Sequence, residues 1–153
     1  MNERAPSRLA LGPALDFLQR LWRLDHATER ASARMERRLG ITAQQRFVIR
    51  CVGAYPGMTA GQLATLLHVD RGTVSATLGR LETKGLLERR RDPVDSRRVV
   101  LGLTAKGRAL DVPAKGTVEE AVDRMLASTS KEAVLVVAEV LERLAIELDR
   151  EAP

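Results

Sequence analysis

The sequence predicts a mainly α-helical domain carrying one small β-hairpin. Three observations support this. Capping residues mark helix starts and stops repeatedly. Aromatic residues make up only 3% of the chain, so Leu, Val and Ala must build the core. The hydrophobic period changes from 3.6 to 2 at one place, after Gly85.

Taken in order, Pro13 suits a first helical position and Gly40 a left-handed stop, which bound a helix through "ALDFLQRLWRLDHATERASARMERRL". Leu15, Leu18, Trp22, Met35 and Leu39 recur along one face of it. At about seven turns it is too long to be buried within a domain of this size, and a partner subunit is the expected cover. "TAQQ" opens the second helix as a capping box of Thr42 and Gln45, and "YPG" ends it by Tyr55. "TAGQ" repeats the box at Thr59 and Gln62, ahead of the short helix "AGQLATLLH". A tight turn at Val69 follows, then a helix with Asp70 as N-cap and Gly85 as stop.

Beyond Gly85, "LLERRR" and "RRVVLGL" read as two strands around the turn "DPVDS", with Val99, Leu101 and Leu103 on one face. Thr104 caps a further helix that Pro113 should kink or break. "TSKE" reads as a capping box opening a last helix, from about Lys131 to Arg150, with Val134, Val137, Leu141, Leu144 and Leu148 at helical spacing. No internal repeat or low-complexity linker is visible, so residues 1–153 are expected to form a single domain. Residues 41–104 hold the short helices and the hairpin, between the flanking helical segments 13–40 and 105–150 expected to pair with a partner subunit.

The chain has 153 residues, 44% apolar and 29% charged, which excludes a disordered chain. Its one cysteine, Cys51, forms no internal disulfide, and a buried inert thiol is the expectation. The amino-terminal stretch shows no signal-peptide core, and no apolar run reaches membrane-spanning length. A cytoplasmic protein is therefore expected. The net charge of +5 is uneven. Residues 1–58 hold ten basic and five acidic groups, residues 59–104 eight and five, and residues 105–153 seven and ten. Positive charge in the first two thirds is the footprint expected for a polyanion partner.

A short helix, a tight turn, a second helix, a Gly stop and a basic hairpin together outline a winged helix-turn-helix. Its second helix is narrow enough to enter a major groove, and the hairpin then lies where arginines meet phosphates or the adjacent minor groove. On that reading Arg71, Gly72, Thr73, Ser75, Ala76, Thr77 and Arg80 face DNA, while Val74, Leu78 and Leu81 face the core. Arg71 suits a bidentate guanine contact, and Gly72 a close approach to phosphate. In the hairpin, Arg97 is the candidate for minor-groove insertion and Asp95 for holding the turn. Arg90, Arg91 and Arg98 are candidates for phosphate contacts.

"ITAQQRFVIRCV", "LATLLHVDRGTVSATLGRLETKGLLERR", "DPVDSRRVVLGLT" and "LTAKG", spanning about residues 40–107, resemble the MarR family of bacterial transcriptional regulators. The family's wing pattern, Asp-x-Arg followed by a strand ending in Leu-Thr, stands here as Asp95-Ser96-Arg97 through Leu103-Thr104. The resemblance implies a homodimer interlocked through its terminal helices and gripping a pseudo-palindromic double-stranded DNA operator. It also implies a repressor released by a small aromatic or anionic effector. Ala76 departs from the long basic or polar residue common in the family. Trp22 and His26, four residues apart, could line an effector pocket. A urate-responsive branch carries a Trp on this helix with an Arg five residues on, but position 27 is Ala here, which argues against that ligand.

His26 and His68 have no cysteine at metal-ligand spacing, so no metal or other cofactor is expected. A Gly-rich phosphate loop, HExxH and GxSxG are all missing, and Glu119 and Glu120 read as a solvated helix face, so no enzymatic activity is expected. Two other functions compete: a winged-helix module for protein contacts, and a helical dimer that binds small molecules without specific DNA affinity.

Overall fold

A computed structural model describes residues 11–150, which form seven helices and one two-stranded sheet. The chain divides into two compact units, one ending at Val112 and the other starting at Pro113. In the first unit the order is α1 (Pro13–Leu39), α2 (Ala43–Ala54), α3 (Ala60–Leu67), α4 (Arg71–Thr83), β1 (Leu87–Arg91), β2 (Val99–Leu103) and α5 (Ala105–Leu110). The second unit holds α6 (Val118–Ala127) and α7 (Lys131–Arg150).

The caps expected from sequence set the boundaries. Thr42 and Gln45 form a reciprocal box at the start of α2, as Thr59 and Gln62 do for α3. Gly40 ends α1 at φ 74°, its N–H reaching Glu36 O. Gly85 follows α4 at φ 67°, a conformation that favours glycine, and turns the chain into β1. Helix α5 is capped by Thr104 and stops at Leu110, so the segment before Pro113 is broken rather than kinked.

Three local expectations are corrected. The second strand starts at Val99, because Arg97 and Arg98 belong to a loop closed by bonds from Asp92 N to Arg98 O and from Arg98 N to Asp95 O. Val99 begins the strand half exposed, while Val100, on the opposite face, is buried at 8% exposure. At the start of α7 the cap is Ser130, whose Oγ accepts from Ala133 N at 3.2 Å. Thr129 instead donates to Met125 O behind it, so no capping box forms with Glu132.

The core of the first unit is a single cluster. Val48, Ile49 and Val52 of α2 meet Leu63 of α3, Val74, Leu78 and Leu81 of α4, and Leu86, Leu87, Leu101 and Leu103 around the hairpin. Burial of such aliphatic side chains supplies about 1.5–3 kcal/mol each. Helix α1 joins through Leu39, which packs on the cluster, and its Met35 is buried at 1% exposure. Further toward its start, Leu15, Phe17, Leu18, Trp22 and Leu24 stay exposed. In the second unit neither helix has a buried residue, and Val122, Met125, Leu135, Val137, Leu141 and Leu148 all face outward.

Candidate nucleic-acid interface

The turn between α3 and α4 is short and internally bonded. His68 closes α3 in a left-handed conformation (φ 51°), and Val69 N donates to Ala64 O at 3.2 Å. Asp70 then caps α4. Its Oδ1 accepts from Thr73 N at 2.9 Å, and its Oδ2 accepts from the Thr73 hydroxyl at 2.5 Å. Those bonds, the hydroxyl's first, hold the Asp70 carboxyl below its ordinary pKa of 3.8, so it stays ionised at the positive end of the helix dipole.

Helix α4 has two faces. Val74, Leu78 and Leu81 are buried, as expected from their spacing. Arg71, Gly72, Thr73, Ser75, Ala76 and Arg80 are exposed together on the other side. Thr77, expected among them, lies inside at 5% exposure with its hydroxyl donating to Thr73 O. Thr73 is committed to Asp70, and a Cβ on Gly72 would sit 2.9 Å from Asp70 Oδ1, so this glycine leaves room for the cap.

The hairpin is antiparallel, with register running from Leu87 opposite Leu103 to Arg91 opposite Val99. Its tip is held from within. Asp92 Oδ1 accepts from Val94 N at 2.8 Å, Asp95 Oδ1 from Arg97 N at 3.1 Å, and Ser96 O from Arg91 Nη1 at 2.9 Å. The hairpin is tied to the α2–α3 loop and to α3, since Leu101 N donates to Met58 O at 2.7 Å and Arg98 Nη2 donates to Gln62 Oε1 at 3.3 Å. Gln62 thus serves both the α3 cap and the wing, a role not visible in the capping pattern alone.

The arginines fall into two sets. Arg89 pairs with Glu82 at 3.0 Å, Arg90 with Glu88, and Arg98 stands 3.9 Å from Asp92. The guanidinium groups of Arg71, Arg80 and Arg97 have no protein partner among the described residues. A basic helix face beside a basic loop, with three uncommitted forks, matches phosphate and guanine geometry.

Two further arginines were not singled out from sequence. Arg46, at 1% exposure, donates to Leu110 O and Val112 O, both at 2.6 Å. Arg50 donates to Asp111 O at 2.8 Å and pairs with its carboxylate at 2.7 Å. Their targets lie more than sixty residues away, so local spacing carries no signal of them.

Trp22 is 62% exposed, and His26 Nδ1 donates to its carbonyl at 2.7 Å. A cleft of about 770 Å³ lies elsewhere in the first unit, lined by Val52, Gly57, Arg91, Val100, Leu103 and Arg108 among others. Cys51 is buried, and burial raises its thiol pKa. Among the described residues no group of three acids, histidines or cysteines is placed to hold a metal ion, and no helix is long and apolar enough to cross a membrane.

The profile of the MarR family matches residues 39–98. The homoprotocatechuate degradative operon repressor of Escherichia coli is 29% identical over 106 residues, which is 69% of this chain and 72% of that protein. Relatives at 31–34% identity match over about half of their own length. Among solved structures, MepR of S. aureus bound to DNA is similar with a TM-score of 0.69 and 25% identity, over 87% of this chain and 95% of that one. The PcaV regulator of Streptomyces coelicolor, in complex with its natural ligand, gives a TM-score of 0.66 at 28% identity, over 93% and 97%. The matched profile covers α2 through the wing tip, the part whose geometry is described above. Residues 39–98 thus carry the sequence pattern of the MarR family, and the fold is similar to that of the DNA-bound and ligand-bound regulators just named.

Proposed function

We propose that two copies of this chain bind a pseudo-palindromic site in double-stranded DNA, repress transcription there, and release the site when a small molecule binds. The observation that carries this reading is the set of uncommitted guanidinium groups, Arg71 and Arg80 on the open face of α4 and Arg97 at the wing tip. Arg71 stands in the first turn of α4, where a side chain entering the major groove reaches base edges, and an exposed arginine in the wing loop such as Arg97 suits the flanking minor groove. Arg80 lies farther along the helix and suits a phosphate. The exposed apolar side chains of α1 and of α6–α7 support pairing of two copies, since water contact with so many Leu and Val residues is unfavourable at about 25 cal/mol per Å². Repression is supported by the named repressor among the relatives, and ligand control by the ligand-bound neighbour.

Selection of bound duplexes from a random pool, repeated with Arg71→Ala and Arg97→Ala, tests the residue roles. Arg71→Ala should relax preference at one base position per half-site, a loss of about 1–3 kcal/mol of discrimination. Arg97→Ala should weaken binding and blunt preference for a narrow minor groove. Unchanged profiles in both variants would remove the assignment.

A further inference from the structure

Helix α1 carries Arg20, Arg23, Arg30, Arg34 and Arg37 at intervals of three, seven, four and three residues. At about 100° per residue those positions fall within an arc of about 100°, a single row along the helix. All five are exposed, and none has an ion-pair or hydrogen-bond partner among the described residues. The helix's acids Asp25, Glu29 and Glu36 share a different strip, and only Asp16 stands beside the row, a turn before Arg20. The row lies away from the face that buries Met35. It is also separate from the groove-entering face. Lys84, at the end of α4, donates through Nζ to Gly40 O at 2.6 Å, so α1 terminates against the end of α4 opposite Arg71. Thirteen residues of helix set those two ends about 20 Å apart.

A row of like charges is destabilising in an isolated helix, since each pair at a spacing of three or four residues repels. Every cation in it is an arginine, whose planar fork meets phosphate oxygens in pairs where lysine offers a point charge. From Arg20 to Arg37 the row runs about 25 Å, a length over which duplex DNA presents about fifteen phosphate charges. A membrane surface is the poorer match, because such a helix needs bulky apolar side chains to enter the acyl boundary, and the uncharged residues within this arc are Gln19 and Ala27.

We propose that this arginine row is a second, sequence-independent phosphate-binding surface, which takes a further length of duplex in addition to the one entered by α4. A regulator built this way holds two DNA segments together, and the second contact ignores sequence.

The test uses the full chain and short duplexes of about 20 bp and unrelated sequence, too short to reach both surfaces. Wild type is compared with Arg23→Gln/Arg30→Gln/Arg34→Gln and with Arg71→Gln/Arg97→Gln, each checked for unchanged helicity. Wild type should pull down a second, differently labelled duplex on a bead-bound first one. The α1 triple variant should still hold one duplex but lose that capture, with the log–log salt slope of second-duplex binding reduced by about three. The α4–wing variant should still bind one duplex in a salt-sensitive way, and adding the three α1 substitutions to it should abolish that binding; this result supports the row even if the operator reading fails. Capture by the triple variant equal to wild type would overturn the proposal. So would loss in the triple variant confined to phosphatidylserine vesicles, with second-duplex capture unchanged.

Discussion

The buried guanidinium of Arg46 donates through Nη1 to the carbonyl of Leu110 at 2.6 Å, joining α2 to the last residue of α5. Helices end with carbonyls that lack intrahelical partners, and here a cation meets them at the negative end of the dipole. Nη2 reaches Val112 O, and Arg50 takes Asp111 beside it. The same stretch of α2 carries Gly53, where a Cβ would sit 1.9 Å from Asp111 Oδ2. The place where the chain leaves the first unit is therefore fixed by backbone carbonyls held on two arginines.

Replacing Arg46 with Met should leave the Leu110 and Val112 carbonyls without this donor at about 1–3 kcal/mol each, and so destabilise the protein by about 2–6 kcal/mol in urea unfolding. Arg50→Gln should cost under about 1 kcal/mol, because the arginine side chain is 39% exposed and solvent screens its pair. Equal effects from both substitutions would contradict the distinction between a buried donor and a half-exposed one.

Two glycines should respond in opposite directions. A Cβ on Gly107 would lie 1.9 Å from Leu86 O, a backbone atom that cannot rotate away, so Gly107→Ala should destabilise by about 3 kcal/mol or more. Gly79, in the interior of α4, meets nothing within 4 Å, and Gly79→Ala should stabilise by up to about 1 kcal/mol through helix propensity. Thermal unfolding of the two variants reads both signs. A stabilised Gly107→Ala would contradict the close approach of α5 to the Leu86 carbonyl.

The cap on α4 has a pH signature. Because folding lowers the pKa of Asp70, its stabilising effect is complete above the unfolded value near 3.8 and disappears as pH falls through the lowered value. Asp70→Asn keeps an oxygen for Thr73 N but does not titrate. The gap in melting temperature between wild type and this variant should be constant above about pH 5 and narrow below about pH 4. A gap unchanged down to pH 3 would show that the carboxylate charge contributes nothing.

Cys51 should react with iodoacetamide only as the protein unfolds, since burial both shields the thiol and disfavours its thiolate. Fast labelling of the native state would overturn that reading.

What was legible in the sequence was local. Thr42 with Gln45, Thr59 with Gln62, and Asp70 act within one turn of themselves, so their roles follow from spacing, as does the stop at Gly85. The same holds for the exposed face of α4, where Val74, Leu78 and Leu81 fix which side is hidden. Thr77 was harder to place, because it lies next to Leu78 on the boundary of that face and satisfies its hydroxyl on its own helix. Arg46 was not legible at all. A charged residue reads as solvated until its carbonyl partners, brought in by the chain's return at α5, are known. Ser130 displaced Thr129 as a cap because both residues offer the same chemistry one position apart, and only the helix register decides between them.

The most direct test of paired groove entry is chemical footprinting of a duplex recovered from the random pool, reading guanine N7 protection along both strands. Two protected major-groove patches, centred about 10 bp apart on one face of the DNA, are expected if two α4 helices enter successive turns. A single patch, or protection confined to the minor groove, would contradict the account.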